Sequence, residues 1–123
     1  MAYVDGFLLA VPKANVDAYA EMSRACADVW KDYGAIEYWE CVADDVEPGQ
    51  WTSFPQAVQL KEDETVVFSW IVYPDRATRD ACNEKVMNDP RMQTWHGKEP
   101  LFDGKRMIFG GFAPVVAIGG SAG

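Results

Sequence analysis

The chain has 123 residues, of which 49% are hydrophobic and 24% charged, and its formal net charge is −8. This length predicts one domain with a sizeable core, and the composition excludes a disordered chain. The 11 basic residues are scattered through an acidic sequence, which excludes a protein that holds nucleic acid with clustered lysine and arginine. No apolar run approaches the roughly 20 residues of a membrane helix, so we expect no membrane partner either.

The cysteines and the first residues predict the compartment. Cys26, Cys41 and Cys82 are odd in number and widely spaced, a pattern that favours reduced thiols over a disulfide framework. Met1–Asp5 lacks the basic segment and long apolar run of a secretory signal. We therefore expect a cytoplasmic protein.

Strand, helix and strand are predicted in the first third of the chain. Tyr3–Val11 is rich in aromatic and branched residues and is followed by Pro12, which cannot donate to a β-ladder. A helix begins after Asn15, a good N-cap residue, and ends at Gly34, a good C-cap residue. Ala35–Ala43 is a second strand. The predicted apolar stripe of the helix comprises Val16, Tyr19, Ala20, Ser23, Cys26, Ala27, Trp30 and Tyr33.

The middle of the chain holds the clearest strand. Thr65–Tyr73 is almost continuously apolar over a short length, which is typical of a strand covered on both faces. Before it, Phe54–Leu60 fits either a short helical turn or an irregular edge strand. Lys61–Glu64 is a run of charges and is predicted to be a solvated turn.

A second helix and a last strand complete the pattern. Asp75 can cap a helix that ends near Asp89, because Pro90 disfavours helical geometry at the residue before it. Lys105–Phe112 is predicted as the last strand. The pair Gly110–Gly111 within it indicates a bulge or a close backbone approach.

The order strand, helix, strand, strand, helix, strand predicts an α+β fold of the ferredoxin-like βαββαβ type, with a four-stranded antiparallel sheet and two helices on one face. We expect one domain over residues 1–113 and a flexible tail over 114–123. Large apolar residues such as Trp70 and Ile71 alternate along Thr65–Tyr73, so the face without helices also needs a cover. A second copy of the chain supplies it most simply, and we predict a homodimer.

Four sequence blocks carry a family resemblance: Tyr3–Phe7, Val67–Trp70, Asp89–Met92 and Phe102–Ile108. In this order they resemble the YbaA-like family of uncharacterised bacterial proteins, from about Tyr3 to about Phe112. The resemblance implies a domain of unknown function in the dimeric α/β barrel superfamily, with two sheets that face each other. It implies no reaction and no catalytic residues. The chain departs from the family pattern around residues 95–97 and after 112.

Three residues are candidates for catalysis: Asp5, Arg106 and His96. Asp5 lies in mid-strand, where a carboxylate is costly to bury unless it is paired, and Arg106 on the last strand is its expected partner. His96 is the single histidine, and its ordinary pKa near neutrality suits general acid–base catalysis. The alternatives are a structural ion pair and a surface histidine.

Four further residues are candidates for substrate binding. Glu40 is a second mid-strand carboxylate, and Tyr3 lies on the same strand face as Asp5. Trp70 belongs to an aromatic set that is core unless it lines a cavity, and Arg91 can equally tether its loop. One histidine and three dispersed cysteines show no ligand spacing, so we expect neither a metal nor another cofactor.

Two functions remain open on the sequence. The first is a cofactor-independent enzyme or small-molecule binder with a cavity in the dimeric α/β barrel. The second is a non-catalytic structural or regulatory homodimer, and fold alone does not decide between them. An interior pocket of about 300 Å³ or more, lined by aromatic residues and holding Asp5, His96 or Arg106, favours the first. A packed interior favours the second.

Overall fold

The computed structural model describes residues 1–95 and 98–119. Within these ranges the strands are β1 (Tyr3–Pro12), β2 (Glu37–Val42), β3 (Glu64–Tyr73) and β4 (Ile108–Phe112). The α-helices are α1 (Val16–Asp32), α2 (Phe54–Ala57), α3 (Arg76–Met87) and α4 (Pro90–Gln93), with 3₁₀ turns at Lys13–Asn15 and Gly104–Arg106. No helix in the described part of the chain is long and apolar enough to cross a bilayer.

The four strands form one antiparallel sheet in the order β2-β3-β1-β4. The two central strands, β1 and β3, pair along their full length, from Tyr3 opposite Tyr73 to Pro12 opposite Glu64. The edge strand β2 pairs only with β3, and β4 pairs only with β1. This arrangement confirms the predicted ferredoxin-like α+β fold.

Helices α1 and α3 pack on one face of the sheet, which we call the inner face. Asp5 and the residues at odd positions after it in β1 point to this face, because side chains alternate along a strand. Burial of apolar side chains there contributes about 1.5–3 kcal/mol for each large one. The main core consists of Leu9, Val11, Tyr19, Val29, Val67, Ile71, Tyr73, Cys82 and Val86.

The opposite side of the sheet, the outer face, is covered at one end only. There the segment around α2 packs Val58 against Ala10 and Val66. The ring of Phe54 meets Phe68 edge to face, with the two centroids 5.8 Å apart. Phe54–Leu60, for which the sequence left a helical turn or an edge strand open, thus contains the short helix α2. This segment covers part of the outer face.

The rest of the outer face is open and apolar. Trp39 and Trp70 stack on each other there, with ring centroids 5.7 Å apart. Trp39 remains 50% exposed, and Phe68 remains 43% exposed. On β4, Ile108 and Phe112 are also exposed. The two long helices thus leave a sheet face of large apolar side chains in contact with solvent.

Two of the three predicted helix-terminal residues act as expected. The Asp75 carboxylate accepts the backbone N–H of Thr78 at 2.7 Å and caps α3. Gly34 has φ of +117° just after α1, in the left-handed region that favours glycine. Asn15 precedes α1, but its side chain makes no cap hydrogen bond and donates to the Leu101 carbonyl instead.

Several predicted boundaries differ from the structure. The expected solvated turn at Lys61–Glu64 is wrong for Glu64, which begins β3 and is buried. The last strand begins at Ile108, because the residues before it form a 3₁₀ turn. Pro90 follows the end of α3 and also starts α4. The predicted flexible tail over residues 114–123 stays a prediction, and its last four residues lie outside the described ranges.

Candidate functional site

A polar group lies between the sheet and α1, in an otherwise apolar layer. Glu40 stands on β2 opposite Ser69 of β3, and alternation along the strand directs its side chain to the inner face. Above it, Tyr19 and Ser23 lie four residues apart on α1 and therefore share one side of the helix. The strand and the helix together bring one carboxylate and two hydroxyl groups into contact.

Both hydroxyl groups bind the same oxygen of Glu40. The Tyr19 hydroxyl donates to Glu40 Oε2 at 2.8 Å, and Ser23 Oγ donates to the same atom at 2.5 Å. Ser23 Oγ also lies 2.9 Å from the Tyr38 hydroxyl. Because serine has one proton, Tyr38 is the donor in that contact. The other carboxylate oxygen, Oε1, is buried and has no hydrogen-bond partner among the described residues.

The carboxylate lines a cavity of about 240 Å³, which we call the inner pocket. Apart from the polar groups just described, most of its wall is apolar or aromatic. Phe7 and Ile71 contribute from the sheet, and Met22 and Trp30 contribute from α1. An unpaired oxygen in such surroundings costs free energy unless a bound molecule supplies a hydrogen-bond donor.

Burial keeps the other titratable groups of the inner pocket neutral. Burial, followed by the nearby Glu40 carboxylate, raises the pKa of the Tyr19 hydroxyl far above its ordinary value. Burial also raises the pKa of the Tyr38 hydroxyl. The pKa of the Cys26 thiol rises for the same reason, with Glu40 as the second cause. All three groups therefore stay protonated at neutral pH.

The connection before β4 closes one side of the inner pocket. Phe102 lies edge-on to Tyr19, with ring centroids 5.7 Å apart, and Met107 lines the pocket beside it. The Asn15 side chain holds this connection in place, since it donates to the Leu101 carbonyl at 3.1 Å. The residue expected to cap α1 therefore helps to position a wall of the pocket.

Asp5 has different surroundings, and its predicted pairing with Arg106 is wrong. Arg79 of α3 donates to Asp5 Oδ1 from both Nε and Nη2, each at 3.0 Å. The Tyr73 hydroxyl donates to Asp5 Oδ2 at 3.0 Å. The Arg79 guanidinium also lies over the Tyr3 ring, 5.3 Å from its centroid. This carboxylate is fully partnered and has no free oxygen to offer a ligand.

Arg106 lies near the start of β3, because the 3₁₀ turn before β4 places it there and not on the strand. Its Nη2 and Nη1 atoms lie 2.6 and 2.8 Å from the two oxygens of Glu64. Its Nε donates to Asp103 at 3.0 Å. The hydrogen bonds from Arg106 are the main reason that the pKa of Glu64 is lowered. Arg106 thus joins the turn before β3 to the turn before β4.

Arg91 tethers its loop, which was one of its two expected roles. Its guanidinium bridges Asp89 at 2.9 Å and Asp32, at the end of α1, at 2.8 Å. The hydrogen bonds from Arg91, followed by one from Tyr33, hold the pKa of Asp89 well below its ordinary value. The contacts of Arg91 join the end of α1 to the start of α4.

The remaining predicted site residues do not meet in one place. Tyr3 packs beneath Arg79, and Trp70 lies on the outer face. His96 lies outside the described residues. Glu40 is the one predicted site residue, among those described, that lines the inner pocket. No group of three histidine, cysteine, aspartate or glutamate side chains in residues 1–95 and 98–119 could hold a metal ion.

Sequence reasoning missed the partners of Glu40. Tyr19 and Ser23 were counted only as members of the apolar stripe of the first helix, although both are polar at one end. The available signal was Ser23 itself, a hydroxyl in the middle of a stripe that must be buried. A buried hydroxyl needs a hydrogen-bond partner, and a carboxylate on the neighbouring strand is the partner that the fold provides.

A second, larger cavity lies on the other side of the sheet. This outer groove measures about 830 Å³ and runs over the open part of the outer face. Its walls are residues of β1, β3 and β4 together with Ala2 and most of the segment after β4. The expected interior pocket of about 300 Å³ or more is therefore matched by neither cavity: the inner pocket is smaller and holds Glu40, and the outer groove is open.

Comparison with known proteins gives the family. A family model described as a protein of unknown function, DUF1428, matches residues 2–104. The uncharacterised protein YbaA of Escherichia coli (strain K12) is 51% identical over 116 residues, which cover 94% of this chain and 98% of that protein. These matches confirm the resemblance carried by the four sequence blocks.

Solved structures share the fold at much lower identity. An uncharacterised NIPSNAP domain protein from Burkholderia xenovorans has a TM-score of 0.61 and 15% identity, over 96% of this chain and 99% of that one. A dimeric ferredoxin-like protein from an uncultured marine organism has a TM-score of 0.56 and 15% identity, over 96% and 100% of the two chains. At such identity the likeness extends to the fold alone.

Proposed function

The chain belongs to the DUF1428 family of proteins of unknown function, and from this premise we propose that it binds a small molecule in the inner pocket, with Glu40 as the polar anchor. One observation carries the proposal. Glu40 Oε1 is buried without a partner, whereas the oxygen beside it accepts two hydrogen bonds. A buried acceptor left open is a common mark of a site that a ligand completes.

The walls of the inner pocket support binding of an apolar body. Trp30 and Phe7 offer aromatic surface, and Met22 and Met107 offer flexible side chains that adapt to the shape of a ligand. The polar group sits on the sheet beneath α1, where β2 and α1 hold it in place. Such a combination of a mostly apolar wall and a few positioned polar groups is typical of ligand sites.

The test is a fragment screen followed by NMR mapping on the ¹⁵N-labelled protein. We expect the fragments that bind to shift the amide signals of Ser23, Glu40 and Ile71, which line the inner pocket. Cys26→Met extends a side chain into the pocket and should abolish these shifts. Cys41→Met, on the outer face, serves as the matched control and should preserve them.

Two results would overturn the proposal. One is a set of fragments that shifts only residues of the outer groove, such as Phe68 and Phe112. The other is a screen without any fragment that reaches the inner pocket in the wild-type chain. The wild-type map decides this by itself, so the test stands even if Cys26→Met does not fold.

A homodimer is the second part of the proposal, and a different observation supports it. The open outer face bears Trp39, Phe68 and Phe112 in solvent, and Ile118 in the segment after β4 is fully exposed. Contiguous apolar surface of this kind marks an interface. A second copy can cover it by two-fold symmetry, because each sheet presents the surface that the other needs. The likeness to a dimeric ferredoxin-like protein supports the same choice of partner.

Light scattering at micromolar concentration tests the dimer. We expect the wild-type chain to have twice its monomer mass. Phe68→Glu places a charge in the middle of the open face and should yield a folded monomer. Met87→Glu, at an exposed apolar position on α3, is the matched control and should remain dimeric. A wild-type monomer at these concentrations would contradict the homodimer and leave the inner pocket unaffected.

A further inference from the structure

The charge of the inner pocket is uncompensated. Glu40 is the one carboxylate among the described residues that line it, and no lysine or arginine lines it. Tyr19, Tyr38 and Cys26 carry no charge at neutral pH, because the pKa of each is raised by burial. A carboxylate or phosphate on a ligand would therefore meet a like charge between mostly apolar walls, which is unfavourable.

The protons of the inner pocket already point at Glu40. Tyr38 donates to Ser23, Ser23 donates to Glu40, and Tyr19 donates to Glu40 as well. The hydroxyls of Tyr19, Ser23 and Tyr38 thus have no proton left for a ligand acceptor, and the neutral donors that remain in the pocket are the Ser69 hydroxyl and the Trp30 N–H. The indole N–H of Trp30 is buried and, like Glu40 Oε1, has no hydrogen-bond partner among the described residues. Glu40 Oε1 is the one atom of a charged group, among the described residues that line the pocket, that is left open to a ligand.

The size of the inner pocket limits the ligand to about one ring. Its volume is about 240 Å³, whereas a cavity of about 150 Å³ is enough to bind benzene. A single aromatic ring with a short side chain fits this space, and a dinucleotide or a polycyclic compound does not. The aromatic and methionine side chains of the wall can pack on both faces of such a ring.

We propose that the inner pocket selects a primary amine attached to a single aromatic ring, with the ammonium group donating to Glu40 Oε1. This inference rests on the proposed function, because it names the ligand class of the same site. The ligand cation would do for Glu40 what Arg79 does for Asp5 on the same face of the sheet. An alcohol and an ammonium group would both make a charge-assisted hydrogen bond with the carboxylate. Only the ammonium group adds the attraction between opposite charges, so an amine is preferred over an alcohol of the same shape.

Four probes of nearly equal shape test this selection: benzylamine, benzyl alcohol, toluene and benzoate. Their affinities are measured by NMR titration of the pocket amides, at physiological salt so that attraction to the acidic surface is screened. We expect benzylamine to bind most tightly, then benzyl alcohol, then toluene, with no measurable binding of benzoate. Glu40→Gln should weaken benzylamine by about tenfold or more and leave toluene unchanged.

Glu37→Gln is the matched control, since it makes the same change on the same strand at the opposite face, and it should leave benzylamine binding unchanged. Binding of toluene or benzoate at least as tight as that of benzylamine would overturn the ligand class while the pocket stands. If Glu40→Gln and Glu37→Gln weaken benzylamine binding equally, the amine is attracted by the acidic surface as a whole. That result would also overturn the ligand class. A pocket that takes none of the four probes would count against the proposed function itself.

Discussion

Two carboxylates on the inner face of the same sheet, the buried Asp5 and the half-buried Glu40, have opposite surroundings. Asp5 on β1 is held by the Arg79 guanidinium and by the Tyr73 hydroxyl, so that both of its oxygens have partners. Glu40 on β2 has hydroxyl partners on one oxygen and none on the other. The first carboxylate faces α3, and the second faces α1 across an unfilled space.

The difference shows how to separate structural from functional charge in this fold. A charge that has a counter-charge and a complete set of hydrogen bonds contributes to packing, and removing its partner is costly. A charge that lacks both is tolerated only where selection acts on something other than stability. Glu64 resembles Asp5, because both of its carboxylate oxygens accept hydrogen bonds from Arg106. Glu40 stands apart from both.

The largest expected effect is the loss of Arg79. Arg79→Met leaves Asp5 buried without a counter-charge and should lower the free energy of unfolding by about 3–5 kcal/mol, measured by urea denaturation. Arg76→Met is the control, because Arg76 also lies over the Tyr3 ring but its side chain is 70% exposed. It should cost about 0.5 kcal/mol or less. An equal effect of the two substitutions would remove the distinction between Asp5 and an ordinary surface charge.

A smaller effect is expected where β4 touches the same ion pair. A Cβ at Gly111 would lie 2.8 Å from Arg79 Nη2 and 2.5 Å from the Tyr3 hydroxyl. Because Asp5 holds Arg79 in place, Gly111→Ala should cost about 1–3 kcal/mol by the same denaturation assay. Gly104→Ala, whose Cβ would meet nothing within 4 Å, should leave the unfolding midpoint close to that of the wild type.

At Glu40 we expect that removing the charge does not lower the free energy of unfolding. Glu40→Gln keeps the side-chain shape and removes a half-buried charge that has no counter-charge, so the free energy of unfolding should stay the same or rise by about 1 kcal/mol. Asp5→Asn makes the equivalent change in the partnered carboxylate and should destabilise the protein. The comparison fails if Glu40→Gln loses as much stability as Asp5→Asn.

The last test concerns the pH dependence of stability. Arg106 lowers the pKa of Glu64 from its ordinary value of 4.5 in the folded protein, so the folded state binds this proton less readily than the unfolded state. The stability due to the pair is therefore present above about pH 4.5 and is lost as the pH falls through the folded pKa. Glu64→Gln should flatten the decline in the urea midpoint between pH 5 and pH 3. Glu62→Gln, at an exposed neighbouring position, should keep the wild-type slope.

Much of the backbone could be predicted because its signals are local. The apolar run of β3, the Asp75 cap and Gly34 after α1 each depend on neighbouring residues, and all three were found where predicted. The stripe of α1 was mostly correct, although Val29, which is fully buried, was missed. The order of the elements then identified the fold, because few topologies accommodate it.

The candidate site could be predicted only in part. Glu40 was recognised as a carboxylate in mid-strand, which is a local observation. Its partners Tyr19 and Ser23 come from α1, and the counter-charge of Asp5 comes from α3. Neither set of contacts follows from spacing along the chain. The predicted Asp5–Arg106 pair failed for this reason: it used the strand order but not the helix that lies over β1.

By itself, the sequence determined the order of the four strands and the two long helices and the family to which the chain belongs. Only the tertiary structure decided which mid-strand carboxylate has a counter-charge and which is left open. The physical reason is that an ion pair depends on how a helix is positioned over the sheet. A shift of one helical turn in α3 would be enough to take Arg79 away from Asp5. Asp5 would then lack a counter-charge, as Glu40 does.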